Sequence, residues 1–162
     1  TSMGEGPKYV RLDRAGLPDL YSRSQVDIHS GIITTGHGND VVIVATGVMV
    51  HTALGVRTDL ESKGVRTTVV DVVRIKPLAA TLLAHRLSKV GLVVTLEEHF
   101  LAGGLGSLVL ETLADEGVQA KVLRIGVPDT YTFTYGGREA IWERYGIDRE
   151  SVTKRILERA RP

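Results

Sequence analysis

The sequence predicts an α/β fold, a three-layer α/β/α sandwich built on a mostly parallel sheet of about five strands. Short segments rich in Val, Ile and Thr alternate with segments whose apolar residues repeat at helical spacing. Residues 41–46 form an almost continuous apolar segment, which is typical of a strand covered on both faces. Strands that alternate with helices need crossover connections, and these favour parallel pairing.

The individual elements follow from local patterns. A short strand is predicted at residues 32–35, and its connection to residue 41, His37-Gly38-Asn39-Asp40, suits a hairpin. This hairpin predicts one antiparallel edge strand. Further strands are predicted at residues 67–73, 91–96 and 121–125. Helices are predicted at residues 50–63, 78–87, 105–113 and 139–145 and after Asp148, which can cap the last one.

Composition excludes several classes of protein. The 162 residues predict one domain, and 20 Lys and Arg against 19 Asp and Glu give a net charge of +1. A nucleic-acid binder or a polybasic membrane-surface protein would need a basic excess. No apolar segment approaches the roughly 20 residues of a membrane helix. The absence of cysteine excludes disulfides, thiol catalysis and cysteine-bound metals.

One stretch is the best candidate for a ligand site, because it leaves the end of a predicted strand and enters a helix. Backbone amides at a helix N-terminus can hold an anion, and carboxylates beside a histidine can transfer protons. Alternatively, the glycines only permit tight turns, while the two glutamates are solvated or pair with a neighbouring subunit. The spacing matches neither G-x-G-x-x-G nor the P-loop. The candidate residues are Glu97, Glu98, His99, Gly103, Gly104, Gly106 and Ser107.

Other motifs carry less information. The five histidines show no metal-binding spacing, and no G-x-S-x-G elbow supports a serine hydrolase. Tyr131, Phe133 and Tyr135 alternate after a Pro-Asp pair. These three rings either pack within their own loop or form an interface with a partner.

The start of the chain differs in character from the rest. Residues 6–14 favour a strand, whereas residues 15–39 have a weak pattern typical of a linker between domains. We therefore expect the natural protein to continue upstream. Arg11 and Arg14 are three residues apart, so strand alternation places them on opposite faces. A guanidinium suits phosphate recognition, although an exposed surface arginine is the simpler interpretation.

Several stretches of the chain share one further feature, and they are residues 6–14, 40–47, 71–78, 94–99, 103–107, 124–129 and 145–148. Together they resemble the C-terminal domain of the thiamine-diphosphate-dependent transketolase family. Their order and spacing cover nearly the whole chain. Relatives that share this domain include 1-deoxyxylulose-5-phosphate synthase and the beta subunits of 2-oxo-acid dehydrogenases.

The resemblance implies a domain organisation. Residues 1–14 would hold a tag remnant and the end of an upstream pyrimidine-binding domain, residues 15–39 a linker with the short edge strand, and residues 40–162 the C-terminal domain. Thiamine diphosphate and Mg²⁺ would be bound by the upstream domains, in the same chain or a separate one. This chain lacks the family's G-D-G motif with its later asparagine. We therefore expect it to contain no cofactor-binding, metal-binding or catalytic residue.

The resemblance also implies a function. The full enzyme would be a cytoplasmic homodimer that transfers a two-carbon ketol unit between sugar phosphates, and this chain alone would be inactive and support dimer contacts. Arg14 corresponds to the arginine that reaches the substrate phosphate in transketolases. Asp13 replaces the small residue expected there, and an Asp13–Arg14 contact would compete with that role. Alternatives are delivery of the two-carbon unit to a lipoyl or acyl-carrier partner, or a standalone interaction or regulatory module.

Overall fold

A five-stranded sheet forms the centre of the structure, a computed structural model that describes residues 6–14, 16–22, 27–133 and 135–160. The strand order is β1-β3-β2-β4-β5. Strands β3, β2, β4 and β5 are parallel, and β1 is antiparallel to β3. The strands are β1 (Ile32–Thr35), β2 (Val41–Ala45), β3 (Thr67–Val72), β4 (Leu92–Phe100) and β5 (Val122–Val127).

Helices cover both faces of this sheet, as the sequence predicts. Alternate residues of β2 belong to different cores: Ile43 packs in the core under α1 and α5, and Val44 in the core under α2 and α3. Each β2 residue is at most 1% exposed, which explains its continuous apolar sequence. The three-layer α/β/α prediction is therefore confirmed. The helices are α1 (Met49–Ser62), α2 (Ala80–Leu87), α3 (Leu105–Asp115), α4 (Arg138–Tyr145) and α5 (Arg149–Ala160), and one 3-10 turn spans Ile28–Ser30.

The predicted cap of the last helix is present. The Asp148 carboxylate accepts the backbone N–H of Ser151 at 3.0 Å, which satisfies one of the free amides at the start of α5. Within the described ranges, no helix has both the length and the apolar character needed to cross a membrane.

The predicted hairpin is wrong, although the antiparallel edge strand is correct. β1 pairs with β3, with Ile33 opposite Asp71, and not with β2. Both edges of β2 are already occupied, by β3 and β4, so the outer edge of β3 is the one left for β1. The connection from β1 to β2 crosses the start of β3, where the Thr68 hydroxyl donates to the Gly38 carbonyl at 2.8 Å.

Two further predicted elements differ from the structure. Residues 7–13 form no strand, because no strand of the described residues pairs with them. β4 continues to Phe100, so Glu97, Glu98 and His99 belong to a strand and not to a loop. The pairing of β4 with β5 is irregular between Leu96 and Phe100. The predicted tag remnant falls in residues 1–5, outside the described residues, and the domain boundaries at 14 and 39 remain predictions.

Candidate functional site

Glu97, on β4, caps helix α3. Its side chain is almost completely buried at 1% exposure, and its carboxylate accepts the backbone N–H groups of Leu105 at 2.7 Å and Gly106 at 2.8 Å. These amides open α3 and have no partner within the helix. The positive end of the helix dipole adds to the stability of the charged carboxylate. The group held at this helix N-terminus is thus the carboxylate of Glu97, a residue of the chain itself.

The glycines of this stretch make room for that carboxylate. A Cβ at Gly104 would collide with the Glu97 carboxylate, and a Cβ at Gly106 would lie 2.6 Å from Arg124 Nε and 2.7 Å from Thr95 Oγ1. Gly103 has a different reason, a φ of +69° in the turn before α3. Gly104 and Gly106 therefore let the backbone lie close to buried side chains, and Gly103 allows the turn.

Ser107 and Arg124 fix the turn that leads from β4 into α3. The Ser107 hydroxyl accepts the Gly103 N–H at 3.1 Å and donates to the Leu101 carbonyl at 3.0 Å. Arg124, on β5, donates to Ser107 Oγ at 3.1 Å and also to the Leu101 carbonyl. Sequence reasoning missed Arg124, although a charged residue inside a predicted buried strand is a usable signal.

Unpaired polar atoms remain beneath this turn. Arg124 Nε and Thr95 Oγ1 are buried and have no hydrogen-bond partner in the part of the chain that the structure describes. Both lie against the position of a Gly106 Cβ, which places them together under the start of α3. Binding of a ligand by the stretch from Glu97 to Ser107 remains a prediction.

Glu98 is linked to the N-terminal segment, residues 6–14, through Arg138. Glu98 forms an ion pair with Arg138 Nε at 3.3 Å, and the other two nitrogens of Arg138 donate to the Asp13 carboxylate at 3.2 and 2.7 Å. The hydrogen bond with Asp13 is the main reason that the pKa of Arg138 is raised. Glu98 therefore pairs within its own chain, and Asp13 binds Arg138 and not Arg14.

Arg11 and Arg14 have different surroundings, although the strand on which their opposite faces were predicted does not form. Arg11 Nη1 lies 2.7 Å from His99 Nε2. Because a guanidinium has no acceptor, His99 Nε2 is the acceptor in this pair. Arg14 is exposed, and no hydrogen bond or ion pair joins its side chain to another described residue. Contact between Arg14 and a substrate phosphate remains a prediction.

Exposed apolar side chains lie at or after the carboxyl ends of β3, β4 and β5. Tyr131, Phe133 and Tyr135 follow β5 and are 90%, 85% and 100% exposed. The rings of Tyr131 and Phe133 lie 6.4 Å apart, so these two contact each other within the loop. The large area that all three leave exposed favours the interpretation as an interface. Val73, just after β3, and Phe100, at the end of β4, are also about half exposed.

A second buried acid lies on β3. Asp71 accepts the Tyr21 hydroxyl at 3.3 Å, and burial raises the pKa of Asp71 to about 6. Burial, together with the nearby Asp71 charge, raises the pKa of Tyr21 to about 12. A single aspartate within the β-branched segment 67–73 is the sequence signal for this contact. Nowhere in the described ranges do three His, Asp or Glu side chains come together as metal ligands.

Comparison with known proteins agrees with this architecture. The family model described as "Transketolase, C-terminal domain" matches residues 31–152. An apulose-4-phosphate transketolase subunit of Phocaeicola vulgatus is 35% identical over 94% of this chain. The 1-deoxy-D-xylulose-5-phosphate synthase of Heliobacterium modesticaldum is 42% identical over 93% of it. A solved split-gene transketolase, described as an inactive beta4 tetramer, superimposes with a TM-score of 0.79 and 34% identity over 90% of the chain.

These relatives are longer than the present sequence. The chain spans 48% of the apulose-4-phosphate transketolase subunit, 23% of the synthase and 47% of the split-gene transketolase chain. The matched segment nevertheless contains all five strands of the sheet and the turn that Glu97 caps. The chain therefore belongs to the family of transketolase C-terminal domains.

Proposed function

We propose that this chain is the C-terminal part of a thiamine-diphosphate-dependent enzyme of the transketolase type, which transfers a two-carbon ketol unit between sugar phosphates. The observation that carries the proposal is the similarity over more than nine-tenths of the chain to a transketolase subunit and to 1-deoxy-D-xylulose-5-phosphate synthases. We also propose that the chain alone does not catalyse the transfer.

The paired acids of the described residues do not fit thiamine diphosphate with Mg²⁺, which needs free oxygen ligands. The Glu97 carboxylate accepts two backbone amides, Glu98 pairs with Arg138, and Asp71 accepts the Tyr21 hydroxyl. We therefore assign the cofactor to the remainder of the enzyme, where it would supply carbanion stabilisation.

Arg14 is the residue of this chain that we assign to substrate binding. Its guanidinium is exposed and has no partner among the described residues, while the neighbouring Asp13 is held by Arg138. A free guanidinium can donate two parallel hydrogen bonds to phosphate oxygens. Arg14 would then contribute to the affinity for phosphorylated sugars and not to the bond-breaking step.

Partners follow from the same proposal. The thiamine-binding part of the enzyme and a second copy of the assembly would cover surfaces of this chain. The exposed rings of Tyr131, Phe133 and Tyr135 support such contacts, since aromatic residues are enriched in protein interfaces.

The test uses the chain assembled with a thiamine-binding half of the same enzyme. Arg14→Ala is expected to raise KM for a phosphorylated ketose about ten- to 100-fold, the effect of losing a charge-assisted contact of about 1.5–3 kcal/mol. KM for an unphosphorylated ketose should not change. Arg66→Ala is the control for loss of an arginine side chain, because Arg66 pairs with Asp40 just before β2 and β3 begin, at the opposite end of the parallel strands from Glu98. An unchanged KM for the phosphorylated ketose would remove Arg14 from the site, and absence of two-carbon transfer by the loaded assembly would remove the function.

A further inference from the structure

Arg138 connects three parts of the molecule that are distant in sequence. Its side chain contacts Asp13 on the N-terminal segment and Glu98 on β4, while Arg138 itself is the first residue of α4. The distances are 2.7 Å for the shorter bond to Asp13 and 3.3 Å for the pair with Glu98. The guanidinium also lies 5.9 Å from the centre of the Trp142 ring. Arg138 thus holds the segment against the end of β4.

The position of Arg138 is unusual for a cation. The N-terminus of a helix carries partial positive charge, so an arginine there gains nothing from the helix dipole. Two carboxylates offset this charge, and both are partly shielded from water, with side-chain exposures of 25% for Asp13 and 17% for Glu98. Partial burial makes such pairs stronger than fully exposed ones. Trp142 packs against the core and gives the guanidinium a firm support.

Within the described residues no strand pairs with the N-terminal segment, so side-chain contacts hold it. Arg11 contacts His99, and Asp13 contacts Arg138. Leu12, between them, is 83% exposed. The contact of Asp13 is the last one before Arg14.

We propose that Arg138 is a positioning residue for Arg14. By binding Asp13 and Glu98 together, Arg138 fixes the backbone just before Arg14 and therefore the direction from which the Arg14 guanidinium meets a substrate phosphate. The inference rests on the proposed role of Arg14. It extends that role to a residue 124 positions later in the chain, and it explains why an acidic residue precedes Arg14 without neutralising it.

The test is a double-mutant cycle in the assembly with the thiamine-binding half. Arg138→Ala is expected to raise KM for a phosphorylated ketose roughly three- to tenfold, since misplacing a binding group weakens every contact that it makes. KM for an unphosphorylated ketose and kcat should stay within about twofold. Arg138→Lys, which keeps the charge but loses the two-pronged contact, should recover only part of the affinity. In the background of Arg14→Ala, Arg138→Ala should have no further effect on KM.

Two additional variants keep the outcome clear. Asp13→Asn weakens the same contact without altering α4, so it should reproduce the rise in KM even if Arg138→Ala folds poorly. Arg66→Ala, which removes the Asp40 pair, should leave KM unchanged. NMR relaxation order parameters of residues 11–14 give a reading that does not depend on catalysis, and Arg138→Ala should lower them.

The outcomes separate the two proposals. If Arg14→Ala changes nothing, the role of Arg14 fails and the positioning role fails with it, and the order parameters then show only whether Arg138 orders the segment. If Arg14→Ala raises KM but Arg138→Ala and Asp13→Asn do not, the positioning role is overturned while the substrate contact stands. If the fold-changes in KM of Arg14→Ala and Arg138→Ala multiply in the double variant, the positioning role is also overturned, because only independent contacts give multiplied effects.

Discussion

Glu97 and Gly106 lie in direct contact at the start of α3. Glu97 Oε1 accepts the Gly106 N–H at 2.8 Å, and a Cβ added at Gly106 would lie 3.1 Å from that same oxygen. The absence of a side chain at Gly106 therefore lets the carboxylate approach the helix closely. A buried acid and a glycine nine residues apart in sequence thus form one structural unit.

Replacement of the Glu97 carboxylate should destabilise the chain. Glu97→Gln puts an amide NH₂ where one oxygen accepted a backbone N–H, so one buried donor loses its partner. We expect the free energy of unfolding to fall by about 1–3 kcal/mol, measured by urea denaturation. Glu111→Gln, at an exposed position on α3, is the control and should change it by less than about 0.5 kcal/mol. Equal effects of the two variants would contradict the capping role.

A methyl group at Gly106 should also destabilise the fold. Gly106→Ala would bring a Cβ within 2.6 Å of Arg124 Nε and 2.7 Å of Thr95 Oγ1, so these buried groups must shift. Such overpacking costs about 1–3 kcal/mol of unfolding free energy. Gly16→Ala is the matched control, because nothing lies within 4 Å of its Cβ position. A stable Gly106→Ala variant with an unchanged urea midpoint would contradict this prediction.

The elements of the fold could be predicted because their signals are local. β-branched runs marked β2 and β3, and helical spacing marked α1 and α3. The partner of β1 could not be predicted in this way, since the choice between β2 and β3 depends on which edges the other strands occupy. The hairpin signal at residues 37–40 was a local one, and the parallel pairing of β2 on both edges overrode it.

The candidate site, like the fold, could be predicted only where the sequence signal is local. The sequence predicted a ligand site at the stretch from Glu97 to Ser107, and ligand binding there remains a prediction. The sequence could not show that the Glu97 carboxylate itself caps α3, because this depends on where β4 ends relative to α3. Nor could it show that Arg138 binds Asp13, since the two are 125 positions apart in the chain.

Asp71 should make stability depend on pH. Burial raises its pKa from 3.8 to about 6, so the folded chain keeps a proton there that the unfolded chain loses above pH 3.8. The stabilising contribution of this proton is complete below pH 3.8 and is lost as pH rises through 6. Two pKa units correspond to at most about 3 kcal/mol.

Asp71→Asn should remove this pH dependence, because asparagine does not ionise. Between about pH 4 and 7.5, wild type should lose more unfolding free energy than Asp71→Asn, by up to about 3 kcal/mol in urea titrations. Tyr21→Phe should enlarge the loss, since the Tyr21 hydroxyl stabilises the ionised carboxylate. Asp115→Asn, exposed at the end of α3, controls for the removal of a charge. Parallel pH profiles for wild type and Asp71→Asn would contradict the prediction.

The three aromatic rings after β5 should matter for association and not for folding. Tyr131, Phe133 and Tyr135 are at least 85% exposed, so replacing all three with serine should change the unfolding free energy by less than about 0.5 kcal/mol. If they form the interface with the thiamine-binding half, each ring can contribute about 2 kcal/mol, and affinity should fall at least tenfold. Calorimetric titration of one half with the other measures this affinity. Leu82→Ser, which removes an exposed apolar side chain from α2, is the control. A large loss of stability would show that the rings pack within their own domain, and an unchanged affinity would show that the partner binds elsewhere.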